Sequence, residues 1–428
     1  MGNLRKRNTG SSGARYHDGI GAFDQVIEGS TISFDTDPET SDHRRSGLKN
    51  NALAGITFHR LIRLLWTRRN SVDWKRYAFR ISCLVSISVF NSILSLIEGV
   101  YLWILLNKQD NSQDFKLDDP VFVLGHPRTG TTLLHTLLAL DSDRFSICNT
   151  FCSGFPHCFL WFESIGKQLF ASVISTTRPM DNMRLHFDLP QEDELATCLL
   201  TGGFYSPYMS LYFPRDEKDF RPYQTFRDAD IKEVNVWTRA FQHLCHKLSI
   251  REELQTGQRR RLLLKSPCHT GRVRHLLQLH PNALFVHVHR HPIDVFLSSI
   301  HMANTTYGYM FLQQPKSGDL KEYILKQGEI LMQEYMECVD EGLLVEGKNW
   351  TEISFEELTQ NPFVTVQSIY RKLGLKMDAL YQVELQIYCD KTLEGYQRNQ
   401  YPVSLLTAEM LHEVKIRWRG QFDRWGYK

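Results

Sequence analysis

The chain has 428 residues, of which 42% are hydrophobic and 23% are charged, as in an ordinary globular protein. Its formal net charge of +2 provides no global positive field of the kind that nucleic-acid-binding proteins use, so we expect no nucleic-acid partner. The nine cysteines include no CxxC pair, which argues against a zinc ribbon and against a disulfide-stapled scaffold.

The first 56 residues are polar and rich in Gly, Ser, Asp and Arg, and they show no apolar periodicity. Such a segment cannot bury enough apolar surface to offset the entropy lost on folding. We therefore predict a disordered N-terminus over 1–56, followed by membrane-associating helices over 57–118 and a catalytic domain over 119–428.

A basic amphipathic helix is predicted at the start of the second region. Its apolar face has the spacing i, i+3, i+4, i+7, i+8 and comprises Phe58, Leu61, Ile62, Leu65 and Trp66. Seven basic residues accompany a single acid, Asp73, over 57–80. This pattern suits an anionic membrane surface, and the alternative is a solvated helix packed on the domain.

The most hydrophobic stretch follows at 81–106, where 26 residues are enough to span a bilayer. Basic residues precede it and acidic residues follow it, so a spanning helix would place the N-terminus in the cytosol and the catalytic part in a Golgi-type lumen or outside. However, Ser88, Asn91, Ser92, Ser95, Glu98 and Gly99 line one helical face, and a carboxylate at the membrane centre costs about 2.5–3.5 kcal/mol. We predict membrane association, by spanning or at the interface.

From residue 119 the pattern becomes α/β. Short apolar runs end at Leu124, at Lys265 and just before Arg290, and Pro292 opens a helical pattern. Further elements are a strand over 350–355 and helices over 364–373 and 407–425. Alternating strands and helices predict a P-loop-like three-layer fold with a central parallel sheet, in which ligands bind at the carboxyl ends of the strands.

The central motif is VFVLGHPRTGTTLL, residues 121–134. Strand, glycine-bracketed loop and helix form a typical phosphate-binding unit, because loop N–H groups and the helix N-terminus favour an anion. The candidate binding residues are Arg128, Thr129, Gly130, Thr131 and Thr132. A P-loop kinase or NTPase is the alternative, but it needs Lys at position 131 to work with Mg²⁺.

A second candidate anion site pairs Arg290 with Ser298. Arg290 follows a predicted strand, and Ser298 lies eight residues later on the following helix. Two helical turns return the hydroxyl towards the strand end, so both side chains are expected to hold one phosphate.

Three segments in this order resemble the sulfotransferase superfamily, namely GHPRTGTTLLHTLL, LLLKSP and HVHRHPIDVFLSS. The closest similarity is to the branch with the pattern GxPRSGTTLL, over about residues 119–427. The resemblance implies that 3′-phosphoadenosine 5′-phosphosulfate (PAPS) is the sulfonate donor, with its 5′-phosphosulfate at 128–132 and its 3′-phosphate at Arg290 and Ser298. Thr129 replaces the usual Ser, His291 replaces the usual Asp, and a nucleotide-closing segment with Arg398 matches only loosely.

Sulfonate transfer needs positioning, stabilisation of the leaving oxygen and a base for the acceptor, and it requires no metal. Arg128 and Lys265 are the candidates for charge stabilisation. Glu192 is the preferred base, Glu194 the next choice and His269 the rival, although the acidic run at 192–194 is also an ordinary helix start. We interpret the alternating histidines His287, His289 and His291 as buried or capping residues rather than as metal ligands.

The acceptor is predicted to be a hydroxyl or an amine. The aromatic stretch over 151–170 is a candidate wall for an apolar pocket, and the membrane-leaning helices favour a lipid-like alcohol or amine. A carbohydrate acceptor is the alternative.

Overall fold

The computed structural model describes residues 48, 50–108, 119–171, 178, 181, 183–393 and 401–428. Its centre is a five-stranded sheet formed by β1 (Val121–Leu124), β2 (Phe145–Ile147), β3 (Arg261–Lys265), β4 (Leu284–His289) and β5 (Trp350–Ser354). The strands are parallel and lie in the order β2-β3-β1-β4-β5. The predicted α/β fold with a central parallel sheet is confirmed, and β1, which carries the loop motif, is its central strand.

Alternate residues of β1 enter two different cores. Val121 and Val123 face one core, and Phe122 and Leu124 face the other. Because side chains alternate across a strand, each half of the set belongs to one face of the sheet. Both faces are covered, which explains why the strand is apolar at every position.

Sixteen α-helices are assigned in the described residues. The N-terminal and central ones are α1 (Phe58–Thr67), α2 (Trp74–Lys108), α3 (Thr131–Ala139), α4 (Thr150–Gly154), α5 (Phe159–Leu169), α6 (Asp193–Thr201), α7 (Pro222–Thr225) and α8 (Ile231–Thr256). The C-terminal ones are α9 (Val273–Leu279), α10 (Pro292–Thr306), α11 (Asp319–Asp340), α12 (Phe355–Gln360), α13 (Pro362–Lys372), α14 (Ala379–Tyr388), α15 (Ala408–Arg417) and α16 (Arg419–Trp425). Helices α3, α13 and α14 cover one face of the sheet, and α8 and α10 contribute to the core on the other.

The ordered chain begins before residue 57, which corrects the boundary of the segment predicted to be disordered. Residues 1–47 lie outside the described residues, but Ala52–Gly55 form a 3₁₀ helix. Leu53 is 1% exposed, and its N–H donates to the Tyr212 hydroxyl at 2.9 Å. Two apolar side chains, Leu53 and Ile56, are enough to fasten this short polar stretch to the domain.

The apolar face predicted for α1 is divided between the core and the surface. Leu61 and Leu65 are buried, whereas Phe58, Ile62 and Trp66 are exposed, Trp66 by 70%. The predicted apolar face is present as one wide strip along the helix. Only the side of the strip with Leu61 and Leu65 packs on the domain.

Helix α2 contains the whole hydrophobic stretch predicted at 81–106, and it is long and apolar enough to cross a membrane by length and composition. Several of its polar residues, among them Ser88, Asn91 and Glu98, are buried against the domain. Asn91 Nδ2 donates to the carbonyl oxygens of Ala54 and Ile56 at 2.7 and 3.1 Å, and Glu98 forms an ion pair with Lys247 of α8. The polar stripe that counted against a spanning helix is thus an anchor to the protein.

Candidate active site

The loop between β1 and α3 has the backbone of an anion-binding turn. Gly125, Arg128 and Gly130 all have positive φ values, of 146°, 77° and 97°. A Cβ atom on Gly125 would lie 2.7 Å from the Val288 carbonyl oxygen, and one on Gly130 would lie 2.5 Å from Phe355. Glycine is therefore required at both positions. Arg128 is the exception, since a non-glycine residue in this region carries strain of about 1–2 kcal/mol.

The three predicted loop hydroxyls have different surroundings. Thr129 and Thr131 are each 4% exposed, and the Thr129 hydroxyl donates back to the His126 carbonyl oxygen at 2.8 Å. Thr132 is partly exposed, and its Oγ1 lies 3.3 Å from Lys265 Nζ and 3.4 Å from Arg178 Nη1. Of the three hydroxyls, the one of Thr132 is placed to meet a ligand.

Arg128, which belongs to the first predicted anion site, contacts both residues of the second. Its Nε donates to Ser298 Oγ at 3.0 Å, and its carbonyl oxygen accepts from Arg290 Nη1 at 3.1 Å. Pro292 starts α10 next to the carboxyl end of β4, which brings Ser298 back over the loop. Arg290 and Ser298, the pair predicted to hold one phosphate, therefore both contact Arg128 of the loop.

Arg128 also forms an ion pair that the sequence did not predict. Its Nη1 lies 2.9 Å from Asp181 Oδ2, and Arg178 Nη2 lies 3.3 Å from the same oxygen. Burial acts to raise the pKa of Asp181, but the two guanidinium groups outweigh it and hold the pKa below its usual value. Asp181 thereby links Arg128 of the loop to Arg178.

Lys265 joins the loop to the preferred base. It ends β3 next to β1, is 1% exposed, and its Nζ lies 2.9 Å from Glu192 Oε1. Burial lowers the pKa of Lys265, although Glu192 acts against this effect. Burial raises the pKa of Glu192, but Lys265 and the hydroxyl of Tyr208 outweigh it, so this pKa lies below its usual value. Glu192 is therefore ionised at neutral pH.

The three consecutive acids have three different partners. The Glu192 side chain remains 23% exposed. Asp193 accepts from the Lys265 N–H at 3.0 Å and lies 2.6 Å from His269 Nε2. Glu194 pairs with Arg272 at 2.6 Å, with both side chains fully buried. Asp193 and Glu194 thus fasten the start of α6 to the sheet, and Glu192 is left facing the loop.

This arrangement separates the two rivals of Glu192 from the site. His269 is fully buried, and its ring packs edge-on against Phe122 at 5.2 Å. Glu194 is equally buried and also accepts from Ser206 at 2.7 Å and Trp237 at 3.1 Å. Neither group is exposed to an acceptor, so their positions favour framework roles.

Tyr208 is the functional candidate that the sequence gave no reason to select. Its hydroxyl donates to Glu192 Oε2, on the side opposite Lys265. Burial, followed by the charge of Glu192, raises the pKa of the Tyr208 phenol well above its usual value, so it stays a donor. None of the three motifs in the sequence contains Tyr208, Arg178 or Asp181.

The alternating histidines bind three different partners. His287 Nδ1 lies 3.0 Å from Glu352, His289 Nδ1 lies 2.8 Å from the Tyr427 hydroxyl, and His291 caps α10. Within the part of the chain that the structure describes, no group of three or more His, Cys, Asp or Glu side chains is arranged to hold a metal ion.

Two further predicted features do not contribute to the candidate active site in the described residues. Arg398 lies outside them. The aromatic stretch over 151–170 packs against itself, with the Phe151 and Phe155 rings stacked 5.0 Å apart and Phe155 stacked on Phe170 at 5.2 Å. Phe151 and Phe159 are fully buried, so these rings support α4 and α5 rather than line an open wall.

The chain is similar to known proteins over most of its length. A family model described as the sulfotransferase family matches residues 120–379. The omega-hydroxy-beta-dihydromenaquinone-9 sulfotransferases Stf3 of Mycobacterium bovis and Mycobacterium tuberculosis are each 31% identical to this chain over 377 residues. That alignment spans 87% of this chain and 90% of theirs.

Solved structures agree with the fold. Sulfotransferase STF1 from Mycobacterium tuberculosis superposes with a TM-score of 0.57 at 17% identity, covering 90% of this chain and 99% of its own. Sulfotransferase STF9 from Mycobacterium avium gives a TM-score of 0.56 at 16% identity, covering 86% and 96%. The predicted P-loop-like architecture is confirmed, and the site residues occupy the carboxyl edge of its sheet.

Proposed function

We propose that this protein, which belongs to the sulfotransferase family, transfers a sulfonate group from PAPS to the hydroxyl group of a lipid-like acceptor. The observation that carries the proposal is the position of Lys265. Its ammonium group contacts both Thr132 of the donor loop and Glu192, the candidate base. One cation therefore joins the two halves of a transfer site.

The charges of the cluster fit an anionic donor. Four cations, Arg128, Arg178, Lys265 and Arg290, are linked through hydrogen bonds and ion pairs to three carboxylates, Asp181, Glu192 and Asp294, among the described residues. The surplus positive charge suits a ligand with a 5′-phosphosulfate and a 3′-phosphate. Arg128 with the loop N–H groups would hold the first, and Arg290 with Ser298 the second.

Every bond change and proton transfer in the proposed reaction can be assigned to the acceptor, the donor or a residue of the site. The acceptor oxygen forms a bond to sulfur, the bond from sulfur to the bridging oxygen breaks, and its electron pair leaves on the 5′-phosphate. Glu192, which is ionised and within reach of Lys265, accepts the hydroxyl proton. Lys265 and Arg128 counter the charge on the leaving oxygen, as preorganised donors do in other transfer sites.

The acceptor class follows from the relatives and from the N-terminal helices. The matched Stf3 proteins carry the name of a dihydromenaquinone sulfotransferase, so those proteins act on a lipid-derived molecule. Exposed apolar side chains of α2, such as Leu96 at 73%, place a membrane-compatible surface on the same chain. Both observations support a lipid-like alcohol that is taken up at a membrane.

Donor binding is tested by thermal stabilisation with 3′,5′-adenosine bisphosphate, compared with adenosine 5′-phosphate, which lacks the 3′-phosphate. We expect the bisphosphate to stabilise the wild type more. Arg290→Ala should weaken its binding about tenfold to a hundredfold without affecting adenosine 5′-phosphate equally, because one charge-assisted contact is lost. Arg371→Ala, at an exposed arginine of α13, is the control. Stabilisation by ATP with Mg²⁺ alone would point instead to a kinase or NTPase.

The base is tested with two neighbouring carboxylates. Glu192→Gln removes the proton acceptor and should reduce sulfonate transfer about 10²- to 10⁴-fold while the protein stays folded. Glu194→Gln breaks a buried pair with Arg272 and should mainly reduce stability. Wild-type turnover in Glu192→Gln would rule Glu192 out as the base.

The acceptor is tested by incubating the enzyme with labelled PAPS and separate total lipid and glycan extracts. Label in the lipid fraction that depends on Glu192 supports the proposal. Label confined to the glycan fraction would identify a carbohydrate acceptor and overturn the lipid assignment.

A further inference from the structure

The exposed side of α2 forms a continuous apolar surface. Its side chains recur at helical spacing, and we define the apolar ridge as Val89, Ile93, Leu96, Ile97, Val100, Trp103 and Ile104, all between 40% and 73% exposed. Helix α1 lies beside this ridge, because the Phe58 N–H donates to Ser92 Oγ at 2.8 Å. The exposed Phe58, Ile62 and Trp66 of α1 extend the surface.

The opposite side of α2 is fastened to the domain. Buried contacts begin at Tyr77 and continue to Glu98, a length of about 30 Å of helix. The Trp161 indole N–H donates to the Leu94 carbonyl oxygen at 3.2 Å, the Leu160 N–H donates to Glu98 at 3.0 Å, and Glu98 pairs with Lys247. A helix that crosses a bilayer has lipid around it, so spanning would strip these contacts and leave buried charges unpaired.

In this region the acidic residues contact the domain, whereas several basic residues are exposed. Its two acids are both engaged with the domain, Asp73 with Arg215 at 3.1 Å and Glu98 with Lys247. Arg63, Arg69 and Lys75 are exposed. The part of the surface formed by α1 and the start of α2 therefore presents cations, and Trp66 of α1 and Trp103 of α2 are 70% and 66% exposed. Tryptophan and basic residues are the side chains that settle at the lipid headgroup level.

We propose that the apolar ridge docks on the surface of an anionic bilayer, with α2 lying along the membrane plane and not crossing it. A second copy of the chain fits less well. A two-fold interface would bring no carboxylate of this region to its exposed cations, because Asp73 and Glu98 are both engaged with the domain.

The docked orientation would bring the membrane close to the acceptor side of the transfer site. Helix α5 contacts α2 through Trp161, and its Phe162 ring lies 6.3 Å from Phe151 of α4. In α4, the Ser153 hydroxyl donates to the Glu192 carbonyl oxygen at 2.9 Å. Two short helices thus separate the ridge from the candidate base. This last step rests on the proposed function, whereas the docking itself does not.

The test is flotation of the full chain with vesicles of phosphatidylcholine, with and without phosphatidylglycerol. We expect binding that increases with the anionic lipid. The triple variant Ile93→Ser, Leu96→Ser, Val100→Ser should bind at least about tenfold more weakly, because three apolar side chains no longer enter the interface. The variant Arg69→Glu, Lys75→Glu should lose the preference for the anionic vesicles.

A matched control exists on α14, where Leu380, Val383 and Ile387 are 47–59% exposed at the same i, i+3, i+7 spacing. Serine at these three positions should leave vesicle binding unchanged. Unaltered stabilisation by 3′,5′-adenosine bisphosphate shows that the ridge variant is folded and separates a failure of docking from a failure of the proposed function.

Three results would overturn the proposal. One is wild-type vesicle binding by the ridge variant. Another is a wild-type dimer that does not float with vesicles and that the ridge variant dissociates, which would identify a second copy as the occupant. The third is protection of an N-terminal tag and the catalytic domain on opposite sides of sealed vesicles, which would identify a spanning helix.

Discussion

Two Glu–Lys pairs in this molecule have the same chemistry and different surroundings. Glu98 and Lys247 join α2 to α8, and each side chain is 3% exposed. Lys247 also donates to the Pro156 carbonyl oxygen and lies 4.2 Å from the centre of the Phe159 ring. Glu192 and Lys265 join α6 to β3, but the Glu192 side chain remains 23% exposed.

The difference in exposure separates an anchor from a reactive pair. A fully enclosed pair cannot meet a substrate, and its two charges are compensated only by each other and by fixed neighbours. A pair that is open on one side keeps a carboxylate available to an acceptor proton. Closed pairs should therefore govern stability in this protein, and the open pair should govern rate.

After Glu192→Gln, the largest expected effect on the rate comes from Lys265→Met, which removes the cation from the open pair. Sulfonate transfer should fall about 10²- to 10³-fold, because one preorganised charge facing the leaving oxygen is lost. The rate is measured with labelled PAPS and a lipid extract, and folding by thermal unfolding. If transfer remained within about threefold of the wild type, the open pair would not be part of the catalytic machinery.

Glu98→Ala tests the closed pair. It leaves Lys247 buried without its carboxylate and should reduce the free energy of unfolding by about 3–5 kcal/mol. The midpoint of urea unfolding measures this change. The double variant Glu98→Leu, Lys247→Met should recover much of the loss, since no charge is then left unpaired. A double variant as unstable as the single one would show that the pair itself is not the anchor.

The pH profile distinguishes the role of Lys265 as a cation from its role in packing. The pKa of Glu192 lies below its usual value of 4.5, so the wild-type kcat/KM should fall only as the pH drops below that value. In Lys265→Met, the strongest influence that lowers the pKa of Glu192 is removed, so the acidic limb should move to higher pH. The alkaline limb, which we expect below the usual lysine pKa of 10.5, should disappear. An acidic limb at the same pH in both proteins would exclude Glu192 as the titrating group.

Tyr208→Phe should have the smallest effect. It removes one hydrogen bond to Glu192 and should lower the transfer rate about tenfold, with a small upward shift of the acidic limb. Tyr205→Phe is the control, because the Tyr205 ring packs on Tyr223 at 5.8 Å and phenylalanine retains this contact. A rate loss without any shift of the pH profile would indicate that Tyr208 only packs in the site.

Much of the fold could be predicted from local patterns. The apolar runs of β1, β3 and β4 stop at Gly125, Lys265 and Arg290, so the ends of these strands could be predicted from the sequence. The edge strand β2 has only the three residues Phe145–Ile147 and offers no pattern that distinguishes it from a loop. Helix α1 and its apolar face were predicted, but not that only part of this face is covered, because periodicity does not reveal which residues of the face meet the domain.

The sequence by itself determined the loop motif, the strand ends and the hydrophobic stretch 81–106 of α2, because each depends on residues close together in the chain. Only the tertiary structure decided which of three consecutive acids faces the loop, because Glu192 and its partner Lys265 are 73 positions apart. It also decided that Arg128 contacts Ser298, which lies 170 positions away. The same holds for Tyr208, Arg178 and Asp181. A carboxylate acquires its role from its burial and its partners, and these are set by how distant segments pack.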